Sequence, residues 1–431
     1  MLVIGTLAFI AHTIRAQEET SSDTSASNAS PLTPGEIAVL QSGSTAGPNA
    51  PPPAVPGGTL TQTPRRFQYS LSFTERTVYD DNIGISSFNR KSDLYFAFEP
   101  SLSLGWGETD SVNSLAFVYH PSGFLFLDHS QDDGVQHLVR LQVGHNFGHL
   151  SLVLSQDVQI LNGADLNSLA DQTGHNANID VGARTKHNIY TTNLNASYDL
   201  TGKLFLSSAA NMAIDDYPRG QQIGSKNFSG NLFLNYQYRE KIVFGLGGTG
   251  GYNKVDSGSP DQLFEQANAR VSYTATAKIN LSAMGGLEFR EFANHSRGAY
   301  LSPVFTIAAA YQPFDGTSIS LAGSRNTNNS AALSGQDYSE TLISASIRQR
   351  FLTRTTLGLS GGFANSDYFS TINGLPSSRV DDYYFVEPSV DVTITRFLSA
   401  GAYYLHRQDR SSLNFFSFYD NQFGFKAVLS F

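Results

Sequence analysis

The chain has no cysteine, three methionines and one tryptophan in 431 residues. Without cysteine it has no disulfide framework and no thiolate metal centre. Charged side chains make up 15% of the sequence, below the usual quarter of a soluble domain. The net charge is −9 and no basic run is present, which speaks against a nucleic-acid partner. Long apolar runs are scarce too. Beyond the N-terminus none approaches the ~18 residues of a transmembrane helix, and the mean hydropathy is −0.21. A helical membrane protein is therefore excluded.

What is present in quantity is glycine (38), phenylalanine (30) and tyrosine (20), with aromatics at 12%. Together with Ser, Thr and Asn in alternation, these are the residues that short strands and turns consume. The expected fold is all-β: one transmembrane antiparallel barrel over residues 66–431 rather than two or three soluble domains. Ahead of it, residues 1–16 read as a secretory signal that lacks a charged start, the alternative being a buried N-terminal strand. Residues 17–65, with "SSDTSASNAS" and "GPNAPPPAVPGG", read as a disordered periplasmic leader because apolar anchors are too sparse to offset ordering entropy.

From Phe67 onward the two-residue period persists. "FQYSLSF" puts Phe67, Tyr69, Leu71 and Phe73 on one face, and "LYFAFEPSLSLGW" puts Leu94, Phe96, Phe98, Pro100, Leu102, Leu104 and Trp106 on one face. Small and polar residues fill the opposite faces, as suits a wall between lipid and water. Short turns recur near 107–110, 146–149, 200–203, 238–241, 277–280, 313–317, 352–355 and 395–397, alternating with polar loops such as "DNIGISSFNRK" and "NTNNSAALSGQD". The spacing predicts nine hairpins, about 18 strands (range 16–18), with both termini on the short-turn side. Prolines inside the strands, Pro100, Pro303 and Pro388, all fall on the lipid face, where a repeated bulge or twist is expected.

No catalytic constellation emerges. His145 and His149 straddle a turn without carboxylate company. "YDDN" offers Asp80, Asp81 and Asn82 either to a calcium ion or, as loop rims more often do, to turn capping. "GLGGTGG" (245–251) lies within a strand with no helix after it, so close packing explains it better than phosphate binding. No cofactor is expected. The inward register collects the candidate pore-lining charges: Arg76, Glu99, Arg140, Arg270, Glu288, Arg290, Arg348, Arg350, Glu387 and Asp391. They either hydrate a diffusion channel or pair with one another and plug it.

The stretch "TVYDDNIGISSFNRKSDLYFAFEPSLSLGW" resembles the first hairpin of the beta-barrel porin-2 family and related exosortase-associated outer-membrane barrels. The matching residues are Tyr79, Asp80, Asp81, Asn82, Ser92, Asp93 and Pro100; the rest of the chain agrees in architecture rather than motif. The resemblance implies an outer-membrane location with periplasmic termini, contact with outer-membrane lipid and passage of small hydrophilic solutes without enzymatic activity. The alternative it leaves open is a barrel for exopolysaccharide export or cell-surface structure. The final "GFKAVLSF" looks like the signal read by the barrel-assembly machinery, carried by Gly424, Leu429 and Phe431, with Ala427 where a bulkier residue is common. The third long loop, 161–185, is the longest. As in porins it is a candidate constriction, with Asp165, Asp171 and Asp180 as its acidic residues, or else an ordinary surface loop.

Overall fold

A computed structural model describes residues 67–107, 113–163, 179–218, 222–256, 258–276, 278–293, 297–375, 377 and 379–431. The expected signal and leader lie outside these residues. The strands run Phe67–Asp80 (β1), Asp93–Trp106 (β2), Asn113–Phe126 (β3), Gly134–Asn146 (β4), Leu150–Leu161 (β5), His187–Asp199 (β6), Leu204–Asp216 (β7), Ser225–Arg239 (β8), Ile242–Val255 (β9), Gln262–Thr276 (β10), Ile279–Phe292 (β11), Tyr300–Tyr311 (β12), Thr317–Asn329 (β13), Gln336–Arg350 (β14), Thr355–Ser370 (β15), Val380–Thr393 (β16), Leu398–Ser411 (β17) and Phe418–Ser430 (β18).

Each strand pairs antiparallel with its sequence neighbours, and β1 pairs with β18 from Ser72↔Ser430 to Asp80↔Gln422. The ring of 18 strands is thereby closed and leaves no sheet edge, the condition for backbone to cross lipid without an unsatisfied polar group. Mutual hydrogen bonds between Leu71 and Phe431 finish the seam. Tight turns join the strands at one end and longer loops join them at the other. The outward positions carry exposed large apolar side chains, and those nearest the turn end are largely aromatic: Phe67, Tyr69, Trp106, Tyr198, Tyr236 and Tyr311 among them. An apolar belt edged by an aromatic girdle is the signature of a membrane-spanning barrel.

The strand prolines act differently from expectation. Pro100 and Pro388 do point outward, but the pairing merely stops at Phe98↔Gly123 and Val386↔His406 and resumes in the same register at Leu102↔Tyr119 and Ser389↔Tyr403. A missing donor costs a ladder bond without shifting the strand. The bulges that exist lie elsewhere, at Gln237/Arg239 and Thr274/Thr276 near the turns.

The glycine-rich stretch of β9 has a packing reason. Gly247 stands opposite Phe233 of β8, and Gly251 opposite Phe264 of β10. Each ring lies against its glycine, so an added Cβ would come within 2.7 Å of Phe233 and 2.3 Å of Phe264. This is aromatic cover of a glycine across a strand pair. Gly247→Val is expected to abolish the heat-sensitive mobility shift of a folded barrel on semi-native gels, because its Cβ would also press within 2.2 Å of the Leu232 carbonyl. Gly248→Ala, which has nothing closer than 3.2 Å, should keep the shift.

Candidate functional site: the lumen and what crosses it

All ten charges read from the sequence occupy the inward register, alternate with the exposed apolar positions. Several are cut off from water and paired with one another or with neighbours. Arg76 and Glu99 form a two-pronged ion pair (2.6 and 3.1 Å) beneath Tyr403. It adjoins an apolar cluster of Val78, Ile83, Tyr95, Ala97, Phe124 and Phe126. Arg290 is bonded to Glu288 at 2.9 Å, and both are buried. Arg140 pairs with Asp157, and Asp391 with Lys426 at 2.8 Å. Arg270 donates to Ser207 and Asn235 and sits 4.2 Å from the centre of the Phe233 ring. Arg350 donates to the Asp315 carbonyl at the turn end, and Glu387 lies in the fields of Lys426, Arg348 and Arg76. Arg348 is exposed.

The longest connection, 162–186, leaves the wall between β5 and β6, yet its described end is held by strands on the far side of the ring. The Asp180 carboxylate accepts from Ser330 Oγ (2.9 Å), Ala331 N (2.6 Å), Tyr368 Oη (2.8 Å) and Arg379 (3.5 Å). Arg379 is itself bonded to Asp381 at 2.5 Å and lies between the rings of Phe416 (3.6 Å) and Tyr368 (4.3 Å). Burial works against its charge, but the bond to Asp381 and the fields of Tyr368, Asp180 and Asp381 leave its pKa raised. Ile179 joins an apolar cluster with Ile85, Leu342, Ala364, Tyr383, Phe385, Leu405 and Phe418. Residues 179–186 thus lead from the opposite wall to the start of β6. Asp165 and Asp171 lie outside the described residues.

A second element enters the lumen. β13 and β14 pair along their whole length, and so do β14 and β15, but the β12–β13 ladder covers only Phe305↔Arg325 to Tyr311↔Ile319. Above that point the tip of the β13–β14 hairpin leans inside. Its outward register, Thr327, Asn329, Asp337 and Ser339, faces the inner wall of β9–β12. Asn253 donates to Asn329 (3.1 Å), Gln262 to Asp337 (3.0 Å) and Arg290 to the Thr327 carbonyl (3.2 Å), while Tyr300 Oη meets Ser339 Oγ at 3.2 Å. This hairpin is what covers Glu288 and Arg290. Behind it Tyr300 stacks on Phe369 of β15 (4.2 Å), and Arg297 donates to the Ser370 carbonyl, so the wall stays continuous.

At the rim, Asn82 closes the first loop through Ser86 and the Tyr419 carbonyl, and Asp81 holds Asn421 and Arg90. The "YDDN" residues therefore do turn-capping work. Asp80, Asp81 and Asp420 do approach one another closely enough to hold an ion, but Arg407, 2.6 Å from Asp420, already supplies the positive charge. His145 is bonded to Asn113. Gly424 lies under the Tyr403 ring, opposite it in register, whereas Leu429 and Phe431 are exposed.

Sequence reasoning missed Arg379, Tyr368, Asp381, Arg407 and Asp420. Arg407 and Asp420 are direct register partners, a signal available only once the β17–β18 turn is fixed. Arg379 sits in a polar loop and has no period to reveal it.

No family model matches the sequence, and no curated protein does. The resemblance of the first hairpin therefore rests on its own short stretch. Among solved structures the chain is similar to Pseudomonas aeruginosa OccK2 (OpdF), at 13% identity and TM-score 0.45 over 84% of this chain and 98% of that one. It is similar to Pseudomonas aeruginosa OpdK, solved with vanillate, at 11% and 0.42 over 84% and 99%. Acinetobacter baumannii OccAB2 follows at 10% and 0.43 over 84% and 98%. What defines the fold of this chain is its own closed ladder of 18 strands.

Proposed function

We propose that the chain is an outer-membrane channel that conducts small hydrophilic solutes passively, its loop end outside the cell and both ends of the barrel in the periplasm. The observation that carries this reading is the closed barrel itself: its outer face is apolar, and its inner face carries charges of both signs narrowed by a loop held at the opposite wall. An 18-stranded ring is wide enough for a water-filled path unless side chains and loops occupy it. The loop held at Asp180 acts as the constriction, and Arg348, Arg350, Glu387 and Asp391 line the path on the turn side. Gly424, Leu429 and Phe431 serve the assembly machinery.

Planar-bilayer recording on the refolded barrel tests this directly. Stepwise conductance is expected; a correctly folded barrel that stays silent at every voltage would sink the reading. Arg348→Glu is expected to shift the reversal potential in a salt gradient toward cation preference, because it replaces an exposed inward cation by an anion beside Glu387.

A further inference from the structure

The β12–β13 seam is a ladder left half closed. Its register, Phe305↔Arg325 and Thr306↔Ser324, would continue without a shift into 300–304 against 326–330. The far edge of each strand is fully paired, β12 with β11 and β13 with β14, so what keeps these residues apart is the lean of the hairpin together with the contacts of Tyr300 and Arg297 on β15 behind it. We propose that the loop-end half of the β13–β14 hairpin is a flap. It moves between the tucked position and a wall position in which 300–304 zip onto 326–330, and the wall position opens the channel from the loop end. This rests on the channel reading above.

Three observations carry it. The outward register of the hairpin is polar at Thr327, Asn329, Asp337 and Ser339, and the neighbouring strands carry exposed outward carboxylates at the same height, Glu291 of β11 opposite Leu263 and Asp367 of β15 opposite Val380. Outward polar residues are thus tolerated at this rim, and those of the hairpin suit either position. Next, what holds the tip in is a set of scattered bonds, mostly from side chains with one backbone bond from Ile223 N to the Ala331 carbonyl, rather than a ladder. Asn253, Gln262 and Arg290 reach it from the wall, Asp180 takes Ser330 and Ala331, and Ser259 Oγ accepts from Gly335 N (2.8 Å). Finally, zipping would replace these bonds by a similar number of ladder bonds, less the donor that Pro303 lacks. The bonds lost include some to charged groups, so the tucked position is the favoured one and the wall position the minor state of the switch.

The absence of native cysteine makes the test clean. In Asn253→Cys/Asn329→Cys the disulfide would hold the tip in. In Ser302→Cys/Asn328→Cys the two thiols become opposite partners only when the seam is zipped, and a disulfide needs such proximity. Both full-length barrels, refolded in vesicles and verified by the mobility shift, are oxidised and examined for cross-linking and conductance. The expected result is that both pairs cross-link, that the first lowers conductance and the second raises it, and that reductant reverses each change. If the Ser302/Asn328 pair never cross-links while the other does so completely without altering conductance, the hairpin is a fixed wall and the proposal falls. Cross-linking needs no current, so a silent barrel would overturn the channel reading while the flap is still decided.

Discussion

Asp180→Ala should raise the single-channel conductance on the order of twofold, since it loosens the hold of the opposite wall on residues 179–186. The carboxylate is the one group that gathers Ser330, Ala331, Tyr368 and Arg379, from elements half-way round the ring from β5 and β6. Hydrogen bonds to a charged acceptor are worth about 1.5–3 kcal/mol each, so the bonds from Arg379 to the Asp180 and Ile179 carbonyls (2.8 and 3.5 Å), which the variant keeps, replace only part of the hold. Arg379→Met should act in the same direction and more strongly, because it leaves Asp180 and Asp381 as buried carboxylates without their shared cation. None of these contacts belongs to a strand ladder. The temperature at which the folded band disappears should therefore change little in Asp180→Ala. A large fall in that temperature with unchanged conductance would assign Asp180 to stability alone.

Glu99→Ala should do the opposite: weaken the barrel severely and alter conduction little. The Arg76–Glu99 pair is 6% and 8% exposed, so removing the acid takes from a buried guanidinium the carboxylate that binds it by two prongs. Breaking a buried pair from one side costs about 3–5 kcal/mol. Arg76→Met/Glu99→Leu removes both charges and should recover most of the loss, since much of the penalty is the orphaned partner rather than the lost attraction. Urea-unfolding midpoints of the three variants, measured in the same detergent, decide this. A double variant as weak as the single one would mean that the pair itself holds β1 to β2.

These two variants mark the boundary of what sequence alone reveals. The wall was legible: a period of two, turns near 200–203 and 352–355, and inward charges such as Arg140 and Asp391 all follow from local alternation. The interior was not, because alternation says which side of a wall a residue faces and nothing about what else has moved in front of it. Glu288 and Arg290 read as wetted until the hairpin from 326–340 covers them. That hairpin itself read as the loop "NTNNSAALSGQD", since polar residues at outward positions look the same whether they stand in solvent or lean inward. Asp180 was singled out from loop length, but its partners come from residues 150 to 199 positions away, a distance no local pattern spans.

The rings that lie on glycines also bear on how such a wall assembles. Phe233 on Gly247, Phe264 on Gly251, Phe385 on Gly362 and Tyr403 on Gly424 are each direct partners across a strand pair. A strand sliding by two residues would keep its apolar side toward lipid, so hydrophobicity cannot reject that error. The ring would, however, meet a side chain in place of bare backbone, save where Phe233 slides onto Gly245. The four pairs, at β8–β9, β9–β10, β15–β16 and β17–β18, work as keys in a lock cut for one alignment, and they discriminate among mispaired barrels that membrane insertion alone would accept.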